Sequence, residues 1–387
     1  MYWYQKAANQ GDVGSETNLG NAYYYGHGVL KDYGKAVYWY QKAANKGDSV
    51  GEDRLGLAYS LGHGLLQDYG KAVYWYKKSA KQGNSIADVR LGYAYYIGHY
   101  VRKDYGKAVY WFQKAANKGD TYGEDGLGYA YYYAHGLKQD YAKAAYWYQK
   151  AANKGNAFAE NHLGFAYSKG RGAPQNYAKA VYWYQKAAKQ GDDYGENNLG
   201  YAYYKGQGAH QDYVKAVYWY QKAADQGNAG GEDNLGYAYS NGHGVKRNYS
   251  KAAYWYKKSA NKGDDYGENN LGQSYYKGSG VHQNYAKAAY FWKKAASHGD
   301  AIAQYNLGYA YFTGRGVKRN YSTAVNWYQK ASDQGVGSAE YNLGLAYYTG
   351  RGVKRNYSRA KYWLKKAAGK GITKAQRNID FFEHGGN

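Results

Sequence analysis

A tryptophan recurs every 36 residues along most of this chain, and no other feature constrains the fold as strongly. The series runs through Trp3, Trp39, Trp75, Trp111, Trp147, Trp183, Trp219, Trp255, Trp327 and Trp363. Phe291 takes the equivalent place in one period, with Trp292 beside it, and no period contains an insertion or deletion. Such a period predicts one supersecondary unit that is copied and stacked. It favours an extended binding surface over a catalytic pocket.

Two glycine markers keep the same period and set the limits of the repeat. One is a Leu-Gly pair, first at Leu19-Gly20, and the other is a single closing glycine, first at Gly47. These markers divide the chain into three parts. The parts are a half repeat at 1–11, ten repeats at 12–371, and a capping helix with a tail at 372–387.

Each repeat predicts two helices, as the repeat at 48–83 illustrates. Asp48 or Ser49 can cap the first helix, and a Gly-His-Gly turn ends it. Asp68 caps the second helix, which Gly83 ends. The expected lengths are about 13 and about 15 residues, with Ala, Trp and Tyr at helical spacing as the core. The predicted fold class is therefore all-α, an α/α solenoid of helix-turn-helix repeats.

The composition excludes several classes of function. The chain has no cysteine, so disulfides, thiolate metal sites and cysteine nucleophiles are excluded. No apolar stretch is long enough to span a membrane, and no Walker, zinc-protease or nucleophile-elbow motif occurs. We therefore expect no enzyme, no catalytic residues and no cofactor. The net charge of +23 is expected on a solvated face that carries Lys35, Lys42, Lys46 and their equivalents.

Five repeats place a histidine at the same position of the loop between the two helices: His27, His63, His99, His135 and His243. Consecutive repeats lie about 10 Å apart, whereas the ligands of one zinc ion lie about 2 Å from it. Arginine, glutamine or serine takes this place in other repeats. We therefore predict no metal site.

The repeat resembles the Sel1-like repeat, a relative of the tetratricopeptide repeat. Residues 343–371 show the pattern, with a Leu-Gly-x-Ala-Tyr run, a Gly-x-Gly-Val turn and an Ala-x-x-Trp helix. The resemblance covers 12–371. It implies a right-handed superhelix whose Leu-Gly helices line the concave face, and an adaptor function through protein–protein interaction. It also implies a bacterial protein exported to the envelope or secreted, although no signal peptide is visible in this chain.

The concave positions form the predicted binding surface. On a helical wheel of the repeat at 48–83, Asp53, Leu57 and Ser60 point away from the core, and their equivalents differ between repeats. Side chains of Asn, Asp, Tyr and Lys at these positions can bond to and pack against an extended peptide. We therefore predict a protein- or peptide-binding groove. Its residues are Asp125, Tyr129, Asn161, Phe165, Lys169, Asn197, Tyr201, Tyr204, Lys205, Asp233, Tyr237, Asn269, Tyr276 and Lys277.

Two alternative functions stay open. Tyr38 and its equivalents are predicted to project from the second helix, and together with the open repeat ends they suggest self-association into filaments or arrays. The many lysines suggest weak electrostatic binding of an anionic polymer. The sequence names neither the partner nor the compartment.

Overall fold

The structure is a computed structural model that describes residues 1–98 and 101–384. Within these residues it contains 22 α-helices and no strand, which confirms the all-α solenoid. The chain divides into two compact units, unit 1 at residues 1–190 and unit 2 at residues 191–387. In the described part of the chain, no helix is both long enough and apolar enough to cross a bilayer.

First and second helices of each repeat alternate along both units, and helices adjacent in sequence pack together within each unit. The first helices of unit 1 are α2 (Val13–Tyr25), α4 (Ser49–Leu61), α6 (Ser85–Ile97), α8 (Thr121–Tyr133) and α10 (Ala157–Lys169). Its second helices are α1 (Tyr2–Asn9), α3 (Tyr33–Asn45), α5 (Tyr69–Lys81), α7 (Tyr105–Asn117), α9 (Tyr141–Ala152) and α11 (Tyr177–Lys189).

Unit 2 continues the same alternation and ends on one additional helix. Its first helices are α12 (Asp193–Lys205), α14 (Ala229–Asn241), α16 (Asp265–Lys277), α18 (Ala301–Thr313) and α20 (Gly337–Thr349). Its second helices are α13 (Tyr213–Asp225), α15 (Tyr249–Asn261), α17 (Tyr285–His298), α19 (Tyr321–Asp333) and α21 (Tyr357–Ala368). The final helix, α22 (Thr373–His384), lies in the predicted cap, of which residues 385–387 fall outside the described residues.

Side-chain caps and glycines fix the limits of the helices. Asp48, and not Ser49, caps α4 by accepting a hydrogen bond from the backbone N–H of Gly51 at 2.7 Å. The helix ends at Gly62, whose φ of 70° lies in the left-handed region. The second helix α5 has 13 residues instead of the predicted 15, because the chain leaves the helix at Gln82, before the closing glycine.

The glycine of each Leu-Gly pair lets a second helix approach the first closely. A Cβ atom on Gly56 would lie 2.7 Å from two ring carbons of Tyr76, well inside van der Waals contact. Leu55 is fully buried beside this contact. The ring is itself buried, so the repeat packs an aromatic ring directly on helix backbone, and only the last repeat has a leucine, Leu364, in this place. The Leu-Gly pair is therefore a packing requirement of the repeat.

The periodic tryptophan is not the most buried ring of the second helix. Trp75 is half-buried, and the Nζ atom of Lys78 lies 4.8 Å from the centre of its ring. The next residue, Tyr76, is the one that packs under the Leu-Gly pair. The exception in the tryptophan series follows the same rule, because Trp292 takes the buried place and Phe291 the half-buried one. The prediction that tryptophan fills the core is correct for Trp39 and Trp183, which are buried, whereas most other members of the series are half-buried.

A buried carboxylate joins the two helices of most repeats. Glu16 is fully buried, and the Nζ atoms of Lys42 and Lys46 lie 3.6 and 2.8 Å from its Oε1. Lys46 also donates to the carbonyl of Gly11, at the end of the preceding repeat. Two of the three lysines predicted on a solvated face therefore form an internal clasp. Only Lys35 remains well exposed, beside the N-cap of its own helix.

One repeat carries a neutral version of this clasp. Gln304 takes the place of the buried carboxylate and accepts a hydrogen bond from Gln334 at 3.0 Å. Lys330, the equivalent of Lys42, lies 4.4 Å from the ring centre of Trp327. The lysine therefore keeps its contact with the aromatic ring where the carboxylate is absent.

Candidate binding surface on the first helices

A ladder of polar side-chain pairs joins the first helices of consecutive repeats, and each rung links residues 37 positions apart. The side chain of Asp53 accepts a hydrogen bond from Nε of Arg90 at 2.9 Å, and Asp125 lies 2.8 Å from Nδ1 of His162. The rungs hold neighbouring first helices in register. The rungs of unit 2 include Asn197–Asn234, Asp233–Asn270 and Asn269–Asn306.

The ladder corrects the interpretation of the helical wheel. Asp53 does point away from the core of its own repeat, but this side of the helix meets the first helix of the next repeat. Asp53 is 2% exposed as a result. The Asp and Asn side chains at this position therefore bond mainly within the chain, and the exposed part of the surface belongs to residues one turn later.

Unit 2 brings five of the predicted residues together. They surround a pocket of about 300 Å³ between α12 and α14, which also contacts the rung partner Asn270. Tyr201 and Tyr237 are 45% and 43% exposed at its mouth. Lys205 lies at the rim, with its Nζ atom 5.6 Å from the ring centres of both Tyr201 and Tyr204. The five residues are Tyr201, Tyr204, Lys205, Asp233 and Tyr237.

The other predicted residues of unit 2 lie outside this pocket. Asn197 and Asn269 are rungs of the ladder and accept hydrogen bonds from the next repeat. Tyr276 accepts a hydrogen bond from Arg315 of the following repeat. Lys277 is exposed at the end of α16. These four residues therefore do not line the pocket of unit 2.

In unit 1 the predicted residues occupy two places. Asp125 and Tyr129 line a second pocket, also of about 300 Å³, between α6 and α8. Asn161 is buried on α10, while Phe165 is half-buried with the Nζ atom of Lys169 5.5 Å from its ring centre. A continuous groove through all the predicted residues stays a prediction.

Most of the second pocket was not anticipated from the sequence. Its further lining residues are Tyr93, Tyr96, Ile97, Phe112, Gly126, Phe158 and His162. The signal was present in the repeats, because one rung of the ladder has lost its polar pair. Val89 and Gly126 stand where the preceding rung has Asp53 and Arg90. The missing side chain at Gly126 leaves room for the ring of Phe112 and opens an apolar pocket.

Burial raises the pKa values of several groups on this surface. The pKa of Asp233 rises to about 7, chiefly because burial disfavours its charged form. The hydrogen bond from Asn270 opposes this shift, and the carboxylates of Asp264 and Asp300 add to it. The pKa of Tyr204 rises to about 12 through burial and the neighbouring Tyr237. The pocket of unit 2 therefore combines an exposed lysine with a carboxylate that titrates near neutral pH.

Three of the loop histidines bond to the preceding repeat. Nδ1 of His63 lies 2.9 Å from the hydroxyl of Tyr24, and its ring stacks on Tyr33 at 4.3 Å. Arg171 makes the equivalent contact with Tyr132 in another repeat. Each loop residue is thus an inter-repeat contact that several side chains can provide. No cluster of three metal-ligating side chains occurs among the described residues, and His99 lies outside them.

The second helices carry the predicted row of exposed tyrosines. In unit 2, Tyr218, Tyr254 and Tyr290 are 54–58% exposed. Each ring contacts the half-buried ring that follows it edge to face, at about 5 Å between centres. Tyr38 and its equivalents in unit 1 show the same arrangement. The row is therefore a distinct aromatic surface on the helices opposite the pockets.

Stacked pairs of first and second helices, joined by clasps and rungs, define each unit as an α/α repeat solenoid. The Sel1 repeat model matches nearly the whole chain, and the chain therefore belongs to the Sel1 repeat family. Members of this family are generally non-catalytic scaffolds for protein interaction. The matched segments are residues 1–12, 14–48, 50–84, 85–120, 122–156, 157–192, 193–228, 231–264, 265–300, 301–336 and 337–372. No curated protein matches the chain significantly.

Three solved structures illustrate the similarity. The first is c5321, a protective antigen of uropathogenic Escherichia coli with the same repeat fold, at 34% identity and a TM-score of 0.55 over 99% of this chain and 90% of that one. The second is a Sel1 repeat protein from Oxalobacter formigenes. It has 28% identity and a TM-score of 0.54, and the match covers 80% of this chain and 89% of that one. The third is human IFIT1, solved as a dimer with PPP-AAAA, which shares only the fold. It has 14% identity and a TM-score of 0.52, and the match covers 95% of this chain and 90% of that one.

Proposed function

We propose that the protein is a non-enzymatic scaffold that binds an extended segment of another protein across the pocketed face of its first helices. The observation that carries this proposal is the pocket of unit 2, where Tyr201 and Tyr237 expose more than two fifths of their surface beside Lys205. Exposed tyrosine beside a polar group is typical of binding surfaces, because the ring supplies large contact area at a low entropic cost.

The packing of the first helices supports this choice of face. Consecutive first helices contact each other directly, as α6 does α8 and as α12 and α14 do. Helices on the inside of a curved array approach each other in this way, so the first helices suit a concave surface. Pockets one repeat apart, about 10 Å, match side chains about three residues apart in an extended peptide.

The charge of the surface suggests the composition of the bound segment. Lys205 is exposed at the rim of the pocket, and the protein carries a net charge of +23. Such a field attracts an acidic segment and speeds its association. We therefore expect a ligand with aromatic or aliphatic side chains for the pockets and acidic residues beside the lysines.

A peptide-display selection would test the proposal without a known partner. Peptides enriched on the wild-type protein should bind a Tyr201→Ala/Tyr237→Ala variant about tenfold more weakly or worse, as expected for lost aromatic anchors. The matched control is Tyr218→Ala/Tyr254→Ala, which removes two tyrosines of similar exposure from the second helices. Equal weakening by both double variants, or by neither, would refute binding on the first helices.

Affinity capture with the same variants separates the two alternative functions. If the protein retains only copies of itself, and the second-helix variant abolishes this, the exposed tyrosine row supports self-association. If it retains acidic polymers whose affinity falls steeply with salt and responds to neither variant, the unpaired lysines account for binding. Each outcome would replace the proposed peptide scaffold by the corresponding alternative.

A further inference from the structure

The pocket between α6 and α8 differs from the other pockets of the first helices in its charge. Aromatic side chains form its walls, with Tyr93, Tyr96, Phe112, Tyr129 and Phe158 among them. Among the described residues that line it, none is lysine or arginine. This composition is unusual in a chain with 52 lysines and arginines.

The neighbouring pockets carry their own cation. One repeat earlier, Arg90 lines the equivalent pocket, and its guanidinium carbon lies 5.7 Å from the ring centre of Tyr76. In unit 2, Lys205 lies over Tyr201 in the same manner. At the equivalent of Arg90, the pocket between α6 and α8 has Gly126. The aromatic walls are therefore kept, whereas the internal cation that would contact them is missing.

A carboxylate remains at the edge of this pocket. Asp125 is 4% exposed and lies 2.8 Å from Nδ1 of His162, which also lines the pocket. When neutral His162 donates this hydrogen bond, the pair carries one negative charge. Burial, together with the carboxylates of Asp125 and Asp120, raises the pKa of Tyr93 well above its usual range. The carboxylate of Asp125 thus places negative charge at the edge of an otherwise apolar pocket.

Edge-to-face contacts fix the orientation of four of these rings. Tyr93 meets Phe112 at 74°, with 5.1 Å between ring centres. Tyr96 meets Tyr129 at 84°, with 5.7 Å between ring centres. These contacts hold four of the lining rings in fixed orientations, and aromatic faces attract a cation while apolar ring surface covers its methyl groups.

We propose that the pocket between α6 and α8 binds a trimethylammonium group, such as that of choline. The aromatic walls would enclose the three methyl groups, and Asp125 would offset the charge. A primary ammonium fits less well, because it has hydrogen atoms to donate and the walls are almost wholly apolar. This binding concerns a single pocket within unit 1 and does not require a peptide on the surface.

The first experiment compares choline with its uncharged isostere 3,3-dimethylbutan-1-ol by calorimetric titration of the full chain. The two probes share shape and apolar area, so only the charge distinguishes them. We expect choline to bind about tenfold more tightly or better, as a desolvated cation over aromatic rings allows. Equal affinity would overturn the proposal and identify a purely apolar pocket, and absence of binding by both would also overturn it.

Variants then locate the site. Val89→Asn/Gly126→Asn introduces the amide pair that Asn197 and Asn234 form in unit 2, and it should abolish choline binding. Because a Cβ atom at Gly126 would lie 2.7 Å from the ring of Phe112, this variant could also disturb packing. A second variant, Tyr129→Leu, keeps the apolar volume and should remove the preference for choline over the isostere.

A control variant and a vesicle assay complete the test. Tyr201→Leu alters the pocket that already holds Lys205, and choline binding should be unchanged; a loss equal to that of Tyr129→Leu would overturn the assignment to unit 1. Co-sedimentation of the protein with phosphatidylcholine vesicles at high salt then tests whether the trimethylammonium group belongs to a lipid or to a soluble ligand. Co-sedimentation that free choline blocks would assign the group to a lipid, whereas choline binding without co-sedimentation would assign it to a soluble ligand.

Discussion

The carboxylate of Asp233 offers a direct test of the polar ladder. Every other rung formed within unit 2 by residues of α12, α14 and α16 pairs two amides, whereas Asp233 pairs a carboxylate with Asn270. Replacing Asp233 by Asn restores the common rung. Because the side chain is nearly isosteric, the substitution changes the charge while the hydrogen bond to Asn270 is kept.

The magnitude follows from the pKa of Asp233, which is about 7 in the folded protein against an ordinary value of 3.8. The folded state therefore keeps a proton that the unfolded state has already lost. This contribution to stability is fully present below about pH 4 and is lost as the pH rises to about 7. A pKa shift of this size changes the free energy of unfolding by at most roughly 4 kcal/mol. Partial contact of the carboxylate with water lowers the expected effect to roughly 1–3 kcal/mol.

The assay is urea unfolding of the full chain followed by circular dichroism, at about pH 4.5 and at about pH 8. Wild type and Asp233→Asn should have similar midpoints at the acidic pH, and the variant should be more stable at the basic pH. Comparing the two proteins at each pH removes the contribution of all other titrating groups. The reverse substitution, Asn197→Asp, introduces a carboxylate into an amide rung and should lower stability at pH 8 only.

Two results would refute this reasoning. Equal midpoints of wild type and Asp233→Asn at both pH values would show that the carboxylate is not desolvated by the ladder. A gain that is the same at both pH values would show that packing, and not ionisation, distinguishes the two side chains. Either result would also remove the basis for a rung that titrates near neutral pH.

Two further predictions concern the repeat itself. Gly56→Ala should destabilise the protein by about 1–3 kcal/mol, because its Cβ would overlap the ring of Tyr76; urea midpoints should recover in part when that ring is also reduced to Leu. Lys294→Ala removes the lysine beside the fully buried Glu268 and, because the lysine itself is partly exposed, should cost about 1–3 kcal/mol. Lys330→Ala, which faces a glutamine instead, should cost no more than about 1 kcal/mol in the same assay.

The fold was predictable from the sequence because its information is local and repeated. A fixed period, caps such as Asp48 and Asp68, and glycines such as Gly62 determine where each helix begins and ends. Each cap or glycine acts on the backbone next to it, so no knowledge of tertiary contacts is needed to interpret these signals. The sequence alone therefore predicted the helix pairs and the family.

The site was less predictable, because its contacts join different repeats. A helical wheel describes one helix, so it placed Asp53 away from the core without the neighbour that covers it. The same limitation hid the clasp between Glu16 and Lys46, which are 30 residues apart. The rungs, by contrast, could have been found by aligning the repeats and comparing the Asp53 position of one repeat with the Arg90 position of the next. In that reading, Val89 stands opposite Gly126 where other repeats place polar pairs.

The polar ladder also limits how such a chain can gain or lose repeats. Each rung is built from one residue of a repeat and one of the next, so a repeat is compatible only with neighbours that carry a suitable partner. Removing the 36 residues from Leu55 to Arg90 would place Gly126 opposite Asp53 and leave a buried carboxylate without its guanidinium. Repeats that look interchangeable in sequence are therefore ordered by their junctions. Recombination between them is constrained by chemistry that no single repeat contains.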